Sequence, residues 1–331
     1  MGGLLEGWIG VQNWIFETLV SPILFHFGLM SWFEPAFDAV EFFMLGVVQI
    51  AVIALGMRLL ERRWSPDHPA DGRLVGVDRI YTALNKLGVI PLIVFIVAYP
   101  ITTEIERQVR VLGFTPPRLE HLIPWLRDHA LVTFLLYFAL YDFAAYWVHR
   151  AQHRLSWWWA LHSLHHSQRN VTVWSDDRNH VLDDVLASIW TGTIALLIGV
   201  APAEFPLVLI AFRLIESLSH TNARLGLGRI GNSLIVGPQY HRLHHSIEHA
   251  DPPFDRSRGC NFAVIFPIWD VIFRTRRRDD AYPATGVASL TGPAIRAGYL
   301  RHQLEGFRRL GAELGRLAGR RSGFAAAFPQ E

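Results

Sequence analysis

The chain has 331 residues, of which 51% are apolar and only 18% charged, with twelve Trp and a positive mean hydropathy, a composition on the membrane side of the protein map. A single cysteine, Cys260, excludes an internal disulfide framework and a cysteine-rich zinc site, so a bound metal is expected to be held by histidine. The net charge of +2 hides an asymmetry, since eleven Arg face five acids from Arg274 onward; without interleaved aromatics this basic tail does not predict nucleic acid as a partner.

In chain order, residues 4–33 mix Trp, Phe and Leu with Glu6, Gln12, Asn13 and Glu17 around Pro22, the pattern of an interfacial helix. The opening MGGLLEGWIG lacks a basic n-region, so a cleaved signal peptide is not expected. Phe42 to Met57, extended backward by Ala39 and Val40, is uncharged and closes on Arg58, Glu61, Arg62 and Arg63, which predicts a first span with its basic end inside the cell. Residues 65–78 predict a loop, and residues 87–103 a second span that Pro91 and Pro100 kink or end. The segment 105–128, with balanced charges and Pro116-Pro117, is expected outside. Ala130 to Val148 predicts a third span that runs back and delivers His149 to the inner face.

Within that third span Asp142 is an acid in an apolar helix, costly in lipid and therefore a functional candidate. It precedes His149 by about two turns and shares its face, so its carboxylate is expected to accept a ring N–H from a metal-bound histidine. Residues 168–184 are polar and stay on the same side. Residues 185–201 and 205–218 are apolar, short for full spans, and predict a hairpin that brings His220 back to the inner face. Gly226 to Arg278 is expected to form a polar cap and Gly298 to Ala326 a basic helical tail. The fold expected is an all-α integral membrane protein with about four transmembrane helices and a cytosolic helical cap carrying a histidine-rich dinuclear metal site. Its divisions are a membrane region (1–128), a catalytic domain (129–278) and a basic tail (279–331).

Eight of the sixteen histidines fall in three boxes: His149 and His153 as HxxxH, then His162, His165 and His166, and His241, His244 and His245, each as HxxHH. Residues three and four apart share a helix face, so each box presents a cluster about one turn tall. Neutral imidazole binds Zn, Cu, Fe and Ni, and eight or nine such ligands are too many for one tetrahedral ion and suit two. An unbroken helix from His149 to His166 would hold its ends about 25 Å apart, so a bend is expected near Leu155 and Ser156.

With these boxes the sequence resembles the membrane-bound fatty acid hydroxylase and sterol desaturase superfamily. The resemblance runs from about Phe134 to Thr275, through the boxes, Arg178 and His180, Ser219-His220-Thr221-Asn222, and a Cys260 to Thr275 ending with Asn261, Trp269, Asp270 and Phe273 in place. Two departures are visible: Phe262-Ala263 replaces the usual Tyr-Gly, and Arg274 replaces a Gly. The resemblance implies two iron ions, O2 as co-substrate and a hydrophobic lipid (sterol or isoprenoid, ether lipid or fatty acyl) that is hydroxylated or desaturated. It adds His220 to the ligands. His180 is expected as a ligand or just behind the ligands, where Asp142, Asp183, Asn222 and Asp270 are also placed. Arg224 stands where some relatives carry a further histidine, which favours the sterol-type or ether-lipid-type branch.

The chain shows neither a cysteine set for an iron–sulfur cluster nor a dinucleotide fingerprint, so a separate reductase, ferredoxin or cytochrome is implied as electron donor. The expected location is a bacterial inner membrane with the site facing the cytoplasm. His26, His68, His121, His129 and His302 are expected at the surface, His249 in a loop, and Trp157 to Trp159 as headgroup anchors. The alternative from another class is a membrane metal-binding or transport protein, which would place its ligands near the bilayer midplane rather than at span ends.

Overall fold

A computed structural model of the chain describes residues 2–67, 71–115, 117–199, 205–250, 259–279, 282–288, 290 and 297–325. Among them every regular element is helical, and the one β-type pairing is an isolated bridge between Ser246 and Thr285. His68 and Pro116 lie outside the described residues, as does the side chain of His249.

Three helices are long and apolar enough to cross a bilayer, the three spans expected. After the N-terminal helix α1 (Gly2–Ile15) the chain packs Phe16 and Leu24 against Val40 and Met44 of α2. The helix α2 is one rod (Met30–Trp64), longer at both ends than the apolar stretch that announced it. The segment read as a loop up to Asp78 turns helical seven residues earlier, because the Asp71 carboxylate caps α3 (Gly72–Lys86) by accepting from the Arg73 N–H at 2.9 Å. The end of α3 presses into α2 at Gly46, where a Cβ would lie 1.7 Å from the Lys86 carbonyl oxygen; only glycine admits that approach.

The second span, α4 (Val89–Val111), runs past Thr103 because Glu104 pairs with Arg107 and Glu106 with Arg110 along its exposed face. Pro91 sits in its first turn and Pro100 within it. The third span is α5 (Ala130–Arg154). It stops where expected: Leu155 is extended (φ −93°, ψ 112°), and the short α6 (Ser156–His162) sets off in a new direction. The hairpin comprises α7 (Val181–Leu197), packed on α4 and α5, and α8 (Phe205–Ser219), packed on α5. At 17 and 15 residues these helices are shorter than the three spans, so among the described residues three helices, and not the hairpin, are long and apolar enough to cross a membrane.

The cap carries α9 (Pro238–His244), with Pro238 in its first turn, and the short α10 (Ile268–Ile272). The basic tail is the helix α11 (Tyr299–Ala325), docked against α6 and α3. That docking overturns the surface placement of His302, which is 4% exposed with Nδ1 3.2 Å from the Tyr81 hydroxyl. The headgroup reading of the tryptophans also fails for Trp158 and Trp159, both buried where α6 meets the body of the protein.

Candidate metal centre

Four separate stretches deliver histidines to one place. The end of α5 carries His149 and His153, the break at Leu155 turns α6 back so that His162 faces them, and the tight turn His165–Ser167 adds His165 and His166. His220 follows α8, and α9 brings His241, His244 and His245. The Glu61 carboxylate near the end of α2 accepts from the backbone N–H groups of Val173 and Asn222, at 2.7 and 3.0 Å. The basic end of α2 therefore lies on the same side as every histidine box.

All nine predicted ligands are at most 7% exposed. They form two four-histidine groups, His149, His153, His162 and His166 in one and His165, His220, His241 and His245 in the other, and within each the ligating nitrogens lie within 4.8 Å of one another. A third group, His166, His244 and His245, joins the two. In the second group Nε2 of His220 is 3.1 Å from that of His165 and 3.0 Å from that of His241, which is 3.1 Å from Nε2 of His245. Two imidazole nitrogens bound at right angles to one divalent ion at about 2.1 Å stand about 3 Å apart, so this spacing suits a shared metal.

The donor chemistry agrees with that fit. Buried imidazoles need partners for both ring nitrogens, and Nε2 of His153 and of His162 have none. The opposite nitrogen of several rings is fixed from behind: His149 Nδ1 lies 2.9 Å from the Phe262 carbonyl oxygen and His244 Nδ1 2.8 Å from that of Cys260. His162 Nδ1 lies 2.9 Å from Asp183, and His220 Nδ1 3.1 Å from Asp176. A carboxylate or carbonyl behind a ring fixes its tautomer and aims the other nitrogen at the metal. Burial, then the neighbouring rings, pushes His165, His166, His241 and His245 well below the ordinary histidine range, which keeps them neutral. At His220 burial pulls the same way, but the Asp176 carboxylate outweighs it and the ring is raised.

The residues expected behind the ligands divide. Asp183 is there, accepting from His162, from the Gln152 amide at 2.7 Å and from the Trp158 indole at 2.7 Å. Asn222 accepts from Arg242 at 3.1 Å beside a small cleft that reaches His220 and His241. Asp142 does not touch a histidine. Its carboxylate accepts from the backbone of Ile265 and Phe266 and from the Trp269 indole, all at 2.8 to 2.9 Å. Asp270 does the same for Phe262 and Ala263, with Tyr240 and Thr275. The two acids thus clamp the loop whose Cys260 and Phe262 carbonyls face His244 and His149. His180 is absent from both groups: its Nδ1 caps α7 by accepting from Leu182 N–H, and its Nε2 faces the Gln303 carbonyl of α11 at 2.9 Å.

The departures from the family ending have visible settings. Arg274, where a Gly is usual, has φ +56°, a left-handed conformation that Gly adopts without cost. Phe262 is fully buried against His149, His153 and His244. Sequence reasoning missed Asp176, whose only signal was its place in a polar segment beside a histidine box. It is also bound by Ser217 at 2.6 Å and lies 3.6 Å from Lys86, itself 3.0 Å from Asp177. Trp159 was misread too: its ring packs against His153 and His166 and under Val287.

The fold and the site define a class: an all-helical membrane protein whose spans end in a buried pair of histidine groups able to hold two metal ions. Residues 134–275 match the fatty acid hydroxylase family, so this segment of the chain is similar to the fatty acid hydroxylase and sterol desaturase superfamily. Among curated relatives it is 32% identical over 157 residues to alkylglycerol monooxygenase of Danio rerio, covering 46% of this chain and 32% of that protein. It is 28% identical over 164 residues to alkylglycerol monooxygenase of Caenorhabditis elegans, covering 48% and 30%, and 26% identical over 171 residues to protein CER1-like 1 of Arabidopsis thaliana, covering 48% and 25%. The match therefore spans about a third or less of each relative's length. No solved structure matches.

Proposed function

We propose that the protein is a di-iron membrane oxidoreductase that uses O2 to hydroxylate or desaturate a hydrophobic lipid, with electrons from a separate reductase, ferredoxin or cytochrome. The observation that carries this reading is the pair of four-histidine groups joined by His166, His244 and His245 at the end of the membrane helices. His149, His153, His162 and His166 would hold one iron and His165, His220, His241 and His245 the other. Two irons so held would supply, with O2, the oxidising power to break an unactivated C–H bond. The chain's own work is positional: Asp183, Asp176 and the loop carbonyls of Cys260 and Phe262 keep the rings oriented, and Trp159 and Phe262 close the site to water. An ether lipid is the first substrate to test, because two of the relatives are named for alkylglycerols. The family match, residues 134–275, falls within the proposed catalytic domain 129–278.

The site is assigned to the cytoplasmic face of a bacterial inner membrane, on the positive-inside bias of Arg58 to Arg63 and of the α11 arginines. Reporters fused after Glu331 and inserted near Pro117 should read cytoplasmic and external. The chemical test is mass spectrometry of lipids incubated with protein, reductant and O2. Oxygen uptake coupled to a +16 or −2 mass shift is expected; oxygen uptake without a lipid product, or none at all, contradicts the proposal.

A further inference from the structure

The body of the protein covers one face of α11 and leaves a second apolar face bare. On the covered face lie His302, Gln303 and Gly306, with no room for a Cβ between Gly306 and the His180 ring, and the Arg309 guanidinium donates to the Ser163 hydroxyl at 2.9 Å. The bare face carries Leu300, Leu304, Phe307 and Leu314, which are 49% to 75% exposed. Steps of four, three and seven residues put these four side chains in one stripe along the helix.

What covers that stripe follows from where α11 sits. It docks on α3 and α6, the elements that border the spans on the side of the metal site. The helix α3 ends at Lys86 and the span α4 begins at Val89, while α6 sets off at Ser156 directly after the end of the span α5. The Phe307 ring packs edge-on, 4.6 Å away, against His180, which caps the hairpin helix α7. The helix α11 therefore lies at the level where the apolar helices enter and leave the bilayer. Beside its stripe stand Arg301 and Arg308, seven residues apart and exposed. Glu305 is 3.8 Å from Arg308, whose side chain is 79% exposed, so water screens the pair and the guanidinium is available to a stronger anion.

We propose that α11 is an interfacial helix: its stripe from Leu300 to Leu314 is buried in the acyl boundary of the bilayer, and Arg301 and Arg308 lie among anionic phospholipid headgroups. Lipid tails take up the four apolar side chains, and an arginine at the edge of such a stripe lays its stem along the tails and its fork on a phosphate. A second copy of the chain suits the face less, because pairing stripe to stripe brings the arginines of both copies to one interface, where like charges repel. The lipid that holds α11 also holds, through Arg309, Ser163 next to His162, so the membrane surface is tied to the segment that carries the second histidine box. This placement stands whichever reaction the metal site performs.

The native Cys260 is buried, so an added cysteine can be labelled selectively. The test places an environment-sensitive fluorophore at Leu304→Cys or Leu314→Cys on the stripe, or at the exposed Ala312→Cys on the arginine flank, in the full chain in nanodiscs containing phosphatidylglycerol. Nitroxide-bearing acyl chains should quench the two stripe labels about threefold or more over the Ala312 label, and aqueous iodide should do the reverse. Replacing phosphatidylglycerol by phosphatidylcholine, or Arg301→Gln together with Arg308→Gln, should cut the lipid quenching at Leu304 to about half or less, with metal content unchanged. Equal iodide quenching at all three positions, or stripe labels shielded from both quenchers as a second copy would shield them, would overturn the lipid surface. Lipid quenching that ignores both the lipid charge and the two arginines would overturn the anionic headgroups as partner.

Discussion

The two histidine groups reach the same geometry by different routes. Three of the four members of the first, His149, His153 and His162, and the fourth, His166, come from one short run of chain folded at Leu155. The second draws His165, His220, His241 and His245 from three distant stretches, and it forms only when the hairpin and the cap both return. Their supports differ in the same way. The first leans on Asp183, with Gln152 and Trp158 on the same carboxylate, and on the loop held by Asp142 and Asp270; the second leans on Asp176, held between Ser217 and Lys86. The first group takes all its ligands from one run of chain and depends on distant chain only through the loop that faces His149, whereas the second depends on each segment that brings it a ligand.

The largest effect should come from the residues shared between the groups. His166→Ala removes a member of the first group and of the bridging one, so metal content should fall from two to about one per chain and turnover by about a thousandfold or more, read by elemental analysis and product formation. Next, Asp176→Ala should separate the groups: affinity at the second should drop about 10- to 100-fold while the first keeps its ion, which a metal titration would show as one tight and one weak site. Equal weakening of both sites would mean the groups are not independent.

How far these groups were legible in the sequence follows from the same distinction. The HxxxH and HxxHH spacings are local, so periodicity found the boxes, and the length of an unbroken helix required the break at Leu155; periodicity did not show that the second box divides, with His162 and His166 in one group and His165 in the other. Asp142 was placed on the correct helix face but given the wrong partner, because nothing in its own segment announces that the loop from Cys260 to Thr275 folds over that face. Asp176 carried no spacing signal at all, since its partners His220, Ser217 and Lys86 arrive from other segments. His302 and His180 were misjudged for one reason: the amphipathic α11 docks on the body and buries both, so the ring beside Tyr81 and the ring capping α7 serve packing.

Two smaller effects sharpen the account of the first group. Asp142→Leu removes the acceptor of three buried donors and should cost about 3 kcal/mol or more of stability, with loss of metal from the His149 group before the His165 group on mild heating. Arg274→Gly relieves the left-handed backbone at the end of the same loop and should raise the melting temperature slightly, by up to about 1 kcal/mol of stability, with metal content unchanged.

The central claim is that one membrane face holds two irons in these two groups. Elemental analysis of the full chain purified into nanodiscs tests it most directly. Two irons per chain are expected, removed together with oxygen-dependent lipid oxidation by chelation and restored with it by Fe(II) but not by Zn(II). A single tightly held ion, no metal, or activity that survives complete removal of iron would contradict it.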